Sequence, residues 1–332
     1  MNTTVWEWFE QRSFHFRDFQ NLAEGGATRN PLTTTLVLPT RNVADTIGPI
    51  LDTVARLNAR TGLIEQVVVV DADSADGTAD IARARGAEVY SENELLPEYG
   101  GAHGKGDAMW RSLSVARGDI VMFADADSTD FKEHFIYGTL GPLLTDPGIQ
   151  FSKAAYRRPY TADGKSVVDG GGRVTELMAK PLLNFHFPEL TGFVQPLAGE
   201  FAAHRELLCS IPFVTGYGVE IAMMIDVLTE AGLPAMAQVD LEYRQNRHQP
   251  LWDLTRMSSA VLRALGRRVD VPERERVPHA PEDVLALPRP DIYLHAVATE
   301  NGLRLDEHLN EQLERPALTH VLSSGQERDT VA

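Results

Sequence analysis

The sequence predicts an α/β protein: a Rossmann-like, mostly parallel sheet flanked by helices, followed by a mixed α+β half. Three observations carry this expectation. Apolar, β-branched runs recur at 33–37, 67–70 and 120–124, segments of helical spacing separate them, and two runs end in Asp-x-Asp, at Asp71-Ala72-Asp73 and Asp125-Ala126-Asp127. Strands apolar along their whole length need cover on both faces, and in such sheets ligands bind beyond the strand carboxyl ends.

Residues 1–30 read as an N-terminal arm. Their aromatic segment, Trp6, Trp8, Phe9, Phe14, Phe16 and Phe19, is expected to pack on the body or on a second subunit, and it lacks the Lys/Arg-rich polar face of a membrane-surface helix. Residues 31–149 form the first half. The strand at 33–37 runs on to Pro39, and Ile47, Ile50, Leu51, Val54 and Leu57 mark a helix behind Asp45 as a candidate cap. The strand at 67–70 turns through Ser74, Asp76 and Gly77 into a helix ending near 85, and a short strand follows at 88–90. A loop with Gly100, Gly101, Gly104 and Gly106 precedes a helix expected at 107–116, and Gly118-Asp119 turns into the strand at 120–124. Neither Gly-x-Gly-x-x-Gly at the first turn nor a Walker A loop occurs, so dinucleotide dehydrogenases and P-loop NTPases lose their signatures.

Residues 150–268 mix short strands with helices expected at 174–184, 219–230 and 251–265 and with three glycine-bearing turns. Those are Gly170-Gly171-Gly172-Arg173, Pro196-Leu197-Ala198-Gly199-Glu200 and Gly216-Tyr217-Gly218. Residues 269–332 read as a C-terminal extension, rich in proline and charge from 271 to 290, with the last dozen residues loosely attached. No repeat of solenoid period is present.

The 332 residues are 43% hydrophobic and 23% charged, with mean hydropathy −0.20. No uncharged apolar run approaches the ~18 residues of a membrane span. The chain opens with no basic-then-apolar leader, and its one cysteine, Cys209, has no internal partner, so a soluble cytoplasmic protein is expected. Acidic residues outnumber basic ones 47 to 31, a formal charge of −16 with pI about 5.0, which argues against nucleic acid and anionic lipid as partners. An anionic substrate would then need a local cationic cluster or a bound cation.

Candidates for that cluster exist. Paired carboxylates in a turn can share the oxygen shell of a hard cation and leave sites for phosphate oxygens. Lys105, one of only five lysines, sits in Gly104-Lys105-Gly106 just before a helix, where an ammonium and backbone N–H groups could meet a phosphate. The run Gly170 to Thr175 lets backbone approach a ligand at a helix start, with Arg173 and Thr175 adding donors. Arg157-Arg158 and Arg244-Gln245-Asn246-Arg247-His248 supply further cationic and polar groups. Each element alone is equally a surface turn; their convergence is what suggests a site.

Several strings resemble the nucleotide-sugar half of GT-A glycosyltransferases: Val-Leu-Pro-Thr-Arg-Asn at 37–42, Val-Asp-Ala-Asp-Ser-Ala-Asp-Gly-Thr at 70–78, Gly104-Lys105-Gly106 with Trp110-Arg111-Ser112, and Asp125-Ala126-Asp127. More specifically, Tyr156-Arg157-Arg158-Pro159, Gly-Gly-Gly-Arg-Val-Thr-Glu-Leu at 170–177, Gln195 to Glu200 and Gly216 to Ile221 resemble glucosyl-3-phosphoglycerate synthases and their close mannosyl-3-phosphoglycerate synthase relatives. The resemblance spans roughly residues 33–265. It implies retaining transfer of a hexosyl group from UDP-glucose or GDP-mannose to the 2-hydroxyl of 3-phosphoglycerate, with Mg²⁺, Mn²⁺ or Co²⁺, in a homodimer.

By the same resemblance, Pro39, Thr40, Arg41, Asp71 and Lys105 contact the nucleotide and its phosphates, Asp125 and Asp127 form the ribose and metal site, and Leu197, Tyr217 and Glu220 border the donor sugar. Leu197, Glu220 and Lys105 make the implied catalytic set. Gly172, Arg173, Val174 and Thr175 hold the acceptor, helped by Arg244 and His248. Three positions depart from the glucosyl-type pattern: Val43 stands where a glutamate is usual, Ala72 where a small hydroxyl residue is usual, and Asn246 where a metal-binding histidine is usual. The first two leave both uridine and guanosine donors open, and the third leaves Asn246 or His248 as the further metal ligand. For the chemistry, same-face attack is expected, with a two-step route through Glu220 or Glu200 as the alternative. A sugar nucleotidyltransferase and a noncatalytic nucleotide-sugar-binding protein are the competing classes.

Overall fold

The computed structural model describes residues 3–25, 32–162, 165–167, 171–244, 251–269, 292–299, 302–309 and 312–321. The chain begins with α1 (Thr3–Arg12), β1 (Ser13–His15) and α2 (Gln20–Ala23). Alternation follows through β2 (Thr34–Thr40), α3 (Ala44–Thr61), β3 (Gln66–Asp71), α4 (Thr78–Arg83) and β4 (Glu88–Ser91). It continues with α5 (Lys105–Ser112), β5 (Ile120–Phe123), α6 (Glu133–Thr145) and β6 (Phe151–Arg157). The second half adds a hairpin of β7 (Tyr160–Ala162) and β8 (Lys165–Val167), a π-helical turn at Thr175–Ala179, α7 (Lys180–His186), β9 (Phe201–His204), α8 (Arg205–Ser210) and β10 (Phe213–Val214). Last come α9 (Val219–Ala231), β11 (Met236–Tyr243), α10 (Leu251–Gly266), the hairpin strands β12 (Ile292–Thr299) and β13 (Gly302–Leu309), and β14 (Glu314–Arg315).

Eight strands form one sheet in the order β1-β11-β6-β9-β5-β2-β3-β4. All pairs are parallel except those of β9, which runs antiparallel to β5 and β6. The side-chain alternation of each strand feeds two cores. Val37, Val68, Val70, Val121 and Phe123 face one, while Leu36, Leu38, Val69, Ile120 and Met122 face the other. This is why the strands are apolar throughout: both faces are covered, α3 closing one with Ile47, Ile50, Leu51, Val54 and Leu57. The expected α/β class, a mostly parallel sheet flanked by helices with a mixed second half, is the observed one.

Local details differ from expectation. β2 continues to Thr40, because Pro39 lies in register with Val70 and the ladder continues past it. Asp45 sits in the first turn of α3 without capping it; the Ala44 N–H instead donates to Asp76 Oδ2 from the next βα turn. α5 starts at Lys105 and ends at Ser112, beyond which the chain tightens into three-residue turns at Leu113 and Ser114. The segment at 174–184 is a π-helical turn followed by α7.

The N-terminal segment packs on the body. β1 pairs with β11, and the Trp8 indole N–H donates to the Met236 carbonyl at 2.7 Å while its ring meets Phe193. Residues 314–318 also return: β14 pairs with β10, Trp110 donates to the Pro316 carbonyl, and Leu318 is buried. The proline- and charge-rich stretch at 271–290 and the residues after 321 lie outside the described residues. Among the described residues, no helix is long and apolar enough to cross a membrane.

Candidate active site

The antiparallel β9 decides the site. β2, β3, β5, β6 and β11 all point their carboxyl ends to one rim, and β9 enters the sheet there from the turn at 195–200. Thr40, Asp71, Asp125, Arg158 and Arg244 lie at, or one or two residues beyond, such strand ends, and Glu200 immediately precedes the start of the antiparallel β9, so all six gather along that rim.

At its centre, Lys105 Nζ lies 2.5 Å from Asp125 Oδ1 and 2.8 Å from Glu220 Oε1. The three residues start α5, follow β5 and start α9 respectively. Burial alone would lower the lysine pKa and raise that of Asp125; the opposing charges outweigh it, so Lys105 titrates above the ordinary lysine value and Asp125 below the ordinary carboxyl value. The turn 125–127 is fixed from behind by the Thr46 hydroxyl, which donates to the Ala126 carbonyl at 2.6 Å.

Arg244 follows β11 and is fully buried. Its Nη2 lies 3.5 Å from Asp125 Oδ2 and 3.7 Å from Asp127 Oδ1, and its Nη1 contacts Glu200. Both carboxylates are hard-oxygen donors two residues apart on one turn, and Asp127 is largely exposed, so the pair fits a divalent cation that would share its remaining positions with phosphate oxygens. Among the described residues no cluster of three or more His, Cys, Asp or Glu completes a metal cage. Asn246 and His248 lie outside the described residues.

The nucleotide-side positions are built differently. The Asp71 carboxylate accepts from Thr40 Oγ1 at 2.8 Å and from the Ser74 N–H and hydroxyl at 2.8 and 2.7 Å, so it organises the turn after β3. Pro39 is half-buried and Arg41 is exposed beside it. Tyr217 is 57% exposed next to buried Glu220, and Leu197 is half-buried. The acceptor-side run starts at Gly172, whose φ of +70° favours glycine, and continues through half-buried Arg173 into buried Val174 and Thr175 at the π-helical turn. Gly171 ties this run to the rim: its N–H donates to the Arg158 carbonyl at 2.9 Å.

Several structural supports had no clear sequence signal. Lys153, 1% exposed in β6, donates from Nζ to the Ala198 carbonyl at 2.7 Å, and burial lowers its pKa to about 7. A lysine inside Phe-Ser-Lys-Ala-Ala-Tyr could have drawn attention, since the flanking residues read as core. Arg315 reaches back from the C-terminal segment to Asp107 at 2.7 Å and to the Tyr99 carbonyl, also at 2.7 Å, bracing the loop before Lys105. Nothing local to Arg315 announces that contact.

The sheet, the rim of carboxylates and the lysine at a helix start define a GT-A hexosyltransferase. The model of the family described as "Glycosyl transferase family 2" matches residues 35–165. The chain is 44% identical over 269 residues to glucosyl-3-phosphoglycerate synthase of Mycolicibacterium paratuberculosis, covering 80% of this chain and 81% of the relative. Among solved structures, mannosyl-3-phosphoglycerate synthase from Rubrobacter xylanophilus superposes with TM-score 0.87 at 57% identity, covering 95% of this chain and 99% of that one. Glucosyl-3-phosphoglycerate synthase from Mycobacterium tuberculosis, in complex with Mn²⁺, UDP-glucose and phosphoglyceric acid, gives TM-score 0.75 at 36% identity, covering 91% and 95%. The chain belongs to the glucosyl-3-phosphoglycerate synthase family, which includes the mannosyl-transferring relatives.

Proposed function

We propose that this protein transfers a hexosyl group from a nucleoside diphosphate sugar to the 2-hydroxyl of 3-phosphoglycerate with retention at the anomeric carbon. The observation that carries the reading is the meeting of Lys105, Asp125 and Glu220 at the rim, with Asp127 alongside and the glycine-lined run at 171–175 tied to the same rim. Lys105 would bind the diphosphate and stabilise the charge that builds on it, held for that task by two carboxylates. Asp125 and Asp127 would hold a divalent cation, Mg²⁺ or Mn²⁺, with Asn246 or His248 as a further ligand; when bound, the cation neutralises the departing diphosphate. Gly172, Arg173, Val174 and Thr175 would take the acceptor's phosphate and carboxylate.

Glu200 is fully buried with its carboxylate on Tyr156 and Arg244, which speaks against it as a nucleophile. Glu220 Oε1 is engaged by Lys105. Same-face attack follows as our preferred route: the acceptor oxygen bonds to the anomeric carbon as the carbon–phosphate oxygen bond breaks, and the hydroxyl proton passes to the departing phosphate oxygen. The donor is GDP-mannose or UDP-glucose. The 57% identity to a mannosyl-transferring relative, with Val43 and Ala72 in the base region, supports acceptance of the guanosine donor. A homodimer belongs to this reading, for which the exposed Trp6, Phe185 and Trp252 supply apolar surface, and so does a cytoplasmic setting, in keeping with the single buried Cys209.

A donor matrix tests it: purified protein, 3-phosphoglycerate and UDP- or GDP-linked glucose or mannose, with and without Mg²⁺, products identified by mass and anomeric configuration. Metal-dependent formation of an α-hexosyl-3-phosphoglycerate from at least one donor is expected. Pyrophosphate release from a nucleoside triphosphate and a sugar phosphate, with no transfer, would favour the nucleotidyltransferase class instead.

A further inference from the structure

We propose that Tyr156 is a positioning residue of the transfer reaction, its hydroxyl coupling the acceptor run at 171–175 to the acid pair Asp125 and Asp127. The inference rests on the reading above, in which the acceptor binds at that run and the acid pair holds the cation of the nucleotide site.

Tyr156 lies in β6 and is 2% exposed. Its hydroxyl accepts from Arg158 Nη2 at 3.0 Å and donates to Glu200 Oε2 at 2.9 Å. Its ring also lies near two guanidinium groups, 5.1 Å from that of Arg158 and 5.8 Å from that of Arg244. On the acceptor side, the Arg158 carbonyl holds the Gly171 N–H, and Gly171 packs so closely that a Cβ there would come 2.7 Å from Arg158 Cβ. On the metal side, the other oxygen of Glu200 contacts the Arg244 guanidinium, whose Nη2 reaches both Asp125 and Asp127.

This makes a path from the half-buried acceptor run to the carboxylates of the rim, buried in its middle at Tyr156, Glu200 and Arg244, and one phenol oxygen joins its two halves. Glu200 and Arg244 are buried charges that must keep their partners, so a displacement of Arg158 that moves the hydroxyl is passed on to them. A phenol suits the junction because it is acceptor and donor at once, whereas phenylalanine would keep the packing and break the link. A tyrosine that merely fills the core would satisfy its hydroxyl equally well, but its loss would not change how one ligand senses the other.

The test is Tyr156→Phe, with affinities of UDP or GDP, whichever the wild type binds, measured by titration calorimetry in Mn²⁺ with and without saturating 3-phosphoglycerate. In the wild type, 3-phosphoglycerate is expected to change nucleotide affinity about fivefold or more. In Tyr156→Phe that ratio should fall to near one while each ligand alone binds about as before, and kcat should drop with it. Arg158→Lys keeps the charge but loses the planar donor to the phenol; it should lower the ratio too, and it serves if the first variant fails to fold. A wild-type ratio of one, or a variant that keeps the wild-type ratio, overturns the inference while leaving the acceptor assignment standing. A wild type that neither binds nor glycosylates 3-phosphoglycerate overturns the acceptor assignment itself, and the coupling with it.

Discussion

Gly199 lies against the carboxylate of Asp125 so tightly that a β-carbon would overlap both of its oxygens. The turn before β9 therefore acts as a wall behind the acid, and its lack of a side chain is what lets Asp125 face Lys105. Gly199→Ala is expected to displace the carboxylate and cut kcat by about 10²-fold, since small misplacements in a site of this kind cost that much. Steady-state rates beside a thermal melt check it; a folded variant of wild-type activity would show that Asp125 tolerates the shift.

We propose Arg173 for the acceptor, because a compact, multiply charged molecule suits a guanidinium in a glycine-lined run. Arg173→Ala should raise the KM for 3-phosphoglycerate at least about tenfold and leave nucleotide-sugar binding nearly unchanged. Equal losses for both substrates would move the arginine to the donor side.

Lys153 gives a pH signature in stability. Burial lowers its pKa from 10.5 to about 7 in the folded chain, against partial compensation by Glu220 and Asp125. Below pH 7 both folded and unfolded chains carry the proton, and the cost of the buried charge, on the order of a few kcal/mol, is fully present. Between pH 7 and 10.5 only the unfolded chain holds it, so stability rises with pH through that window. In denaturant melts at several pH values the stability of the wild type relative to Lys153→Met should rise across this window; parallel curves would contradict the assignment.

Arg315 ties the C-terminal segment to the start of α5, which carries Lys105, and to the loop before it, through Asp107 and the carbonyls of Tyr99 and Gly101. Arg315→Ala removes one partner of a buried carboxylate that Arg111 also contacts, and should destabilise the fold by roughly 3 kcal/mol. Donor KM should rise as the loop loosens. A melt unchanged from wild type would show that Arg111 alone suffices for Asp107.

Much of this was legible in the chain. The runs at 67–70 and 120–124 announced their strands because both faces are buried, and the aspartates after them marked the rim. The short β9 was not visible: Phe-Ala-Ala-His carries no periodicity, and its place between β5 and β6 is set by tertiary pairing. That strand brings Glu200 beneath the site and Gly199 against Asp125, so the supporting shell was hidden with it. The resemblance gave Arg244 a part in holding the acceptor; only its position after β11 sets it, fully buried, within ion-pair reach of Asp125 and Asp127. Long-range contacts such as Arg315 with Asp107 have no local pattern to read.

The central claim is that Asp125 and Asp127 hold a cation which, with Lys105, binds a nucleoside diphosphate. It is tested most directly by titrating UDP and GDP into wild type and Asp127→Ala, with Mn²⁺ and then with the metal chelated. Metal should tighten nucleotide binding to the wild type by about tenfold or more and have almost no effect on the folded variant. Equal wild-type affinity with and without metal, or a metal effect that survives in Asp127→Ala, would contradict the account.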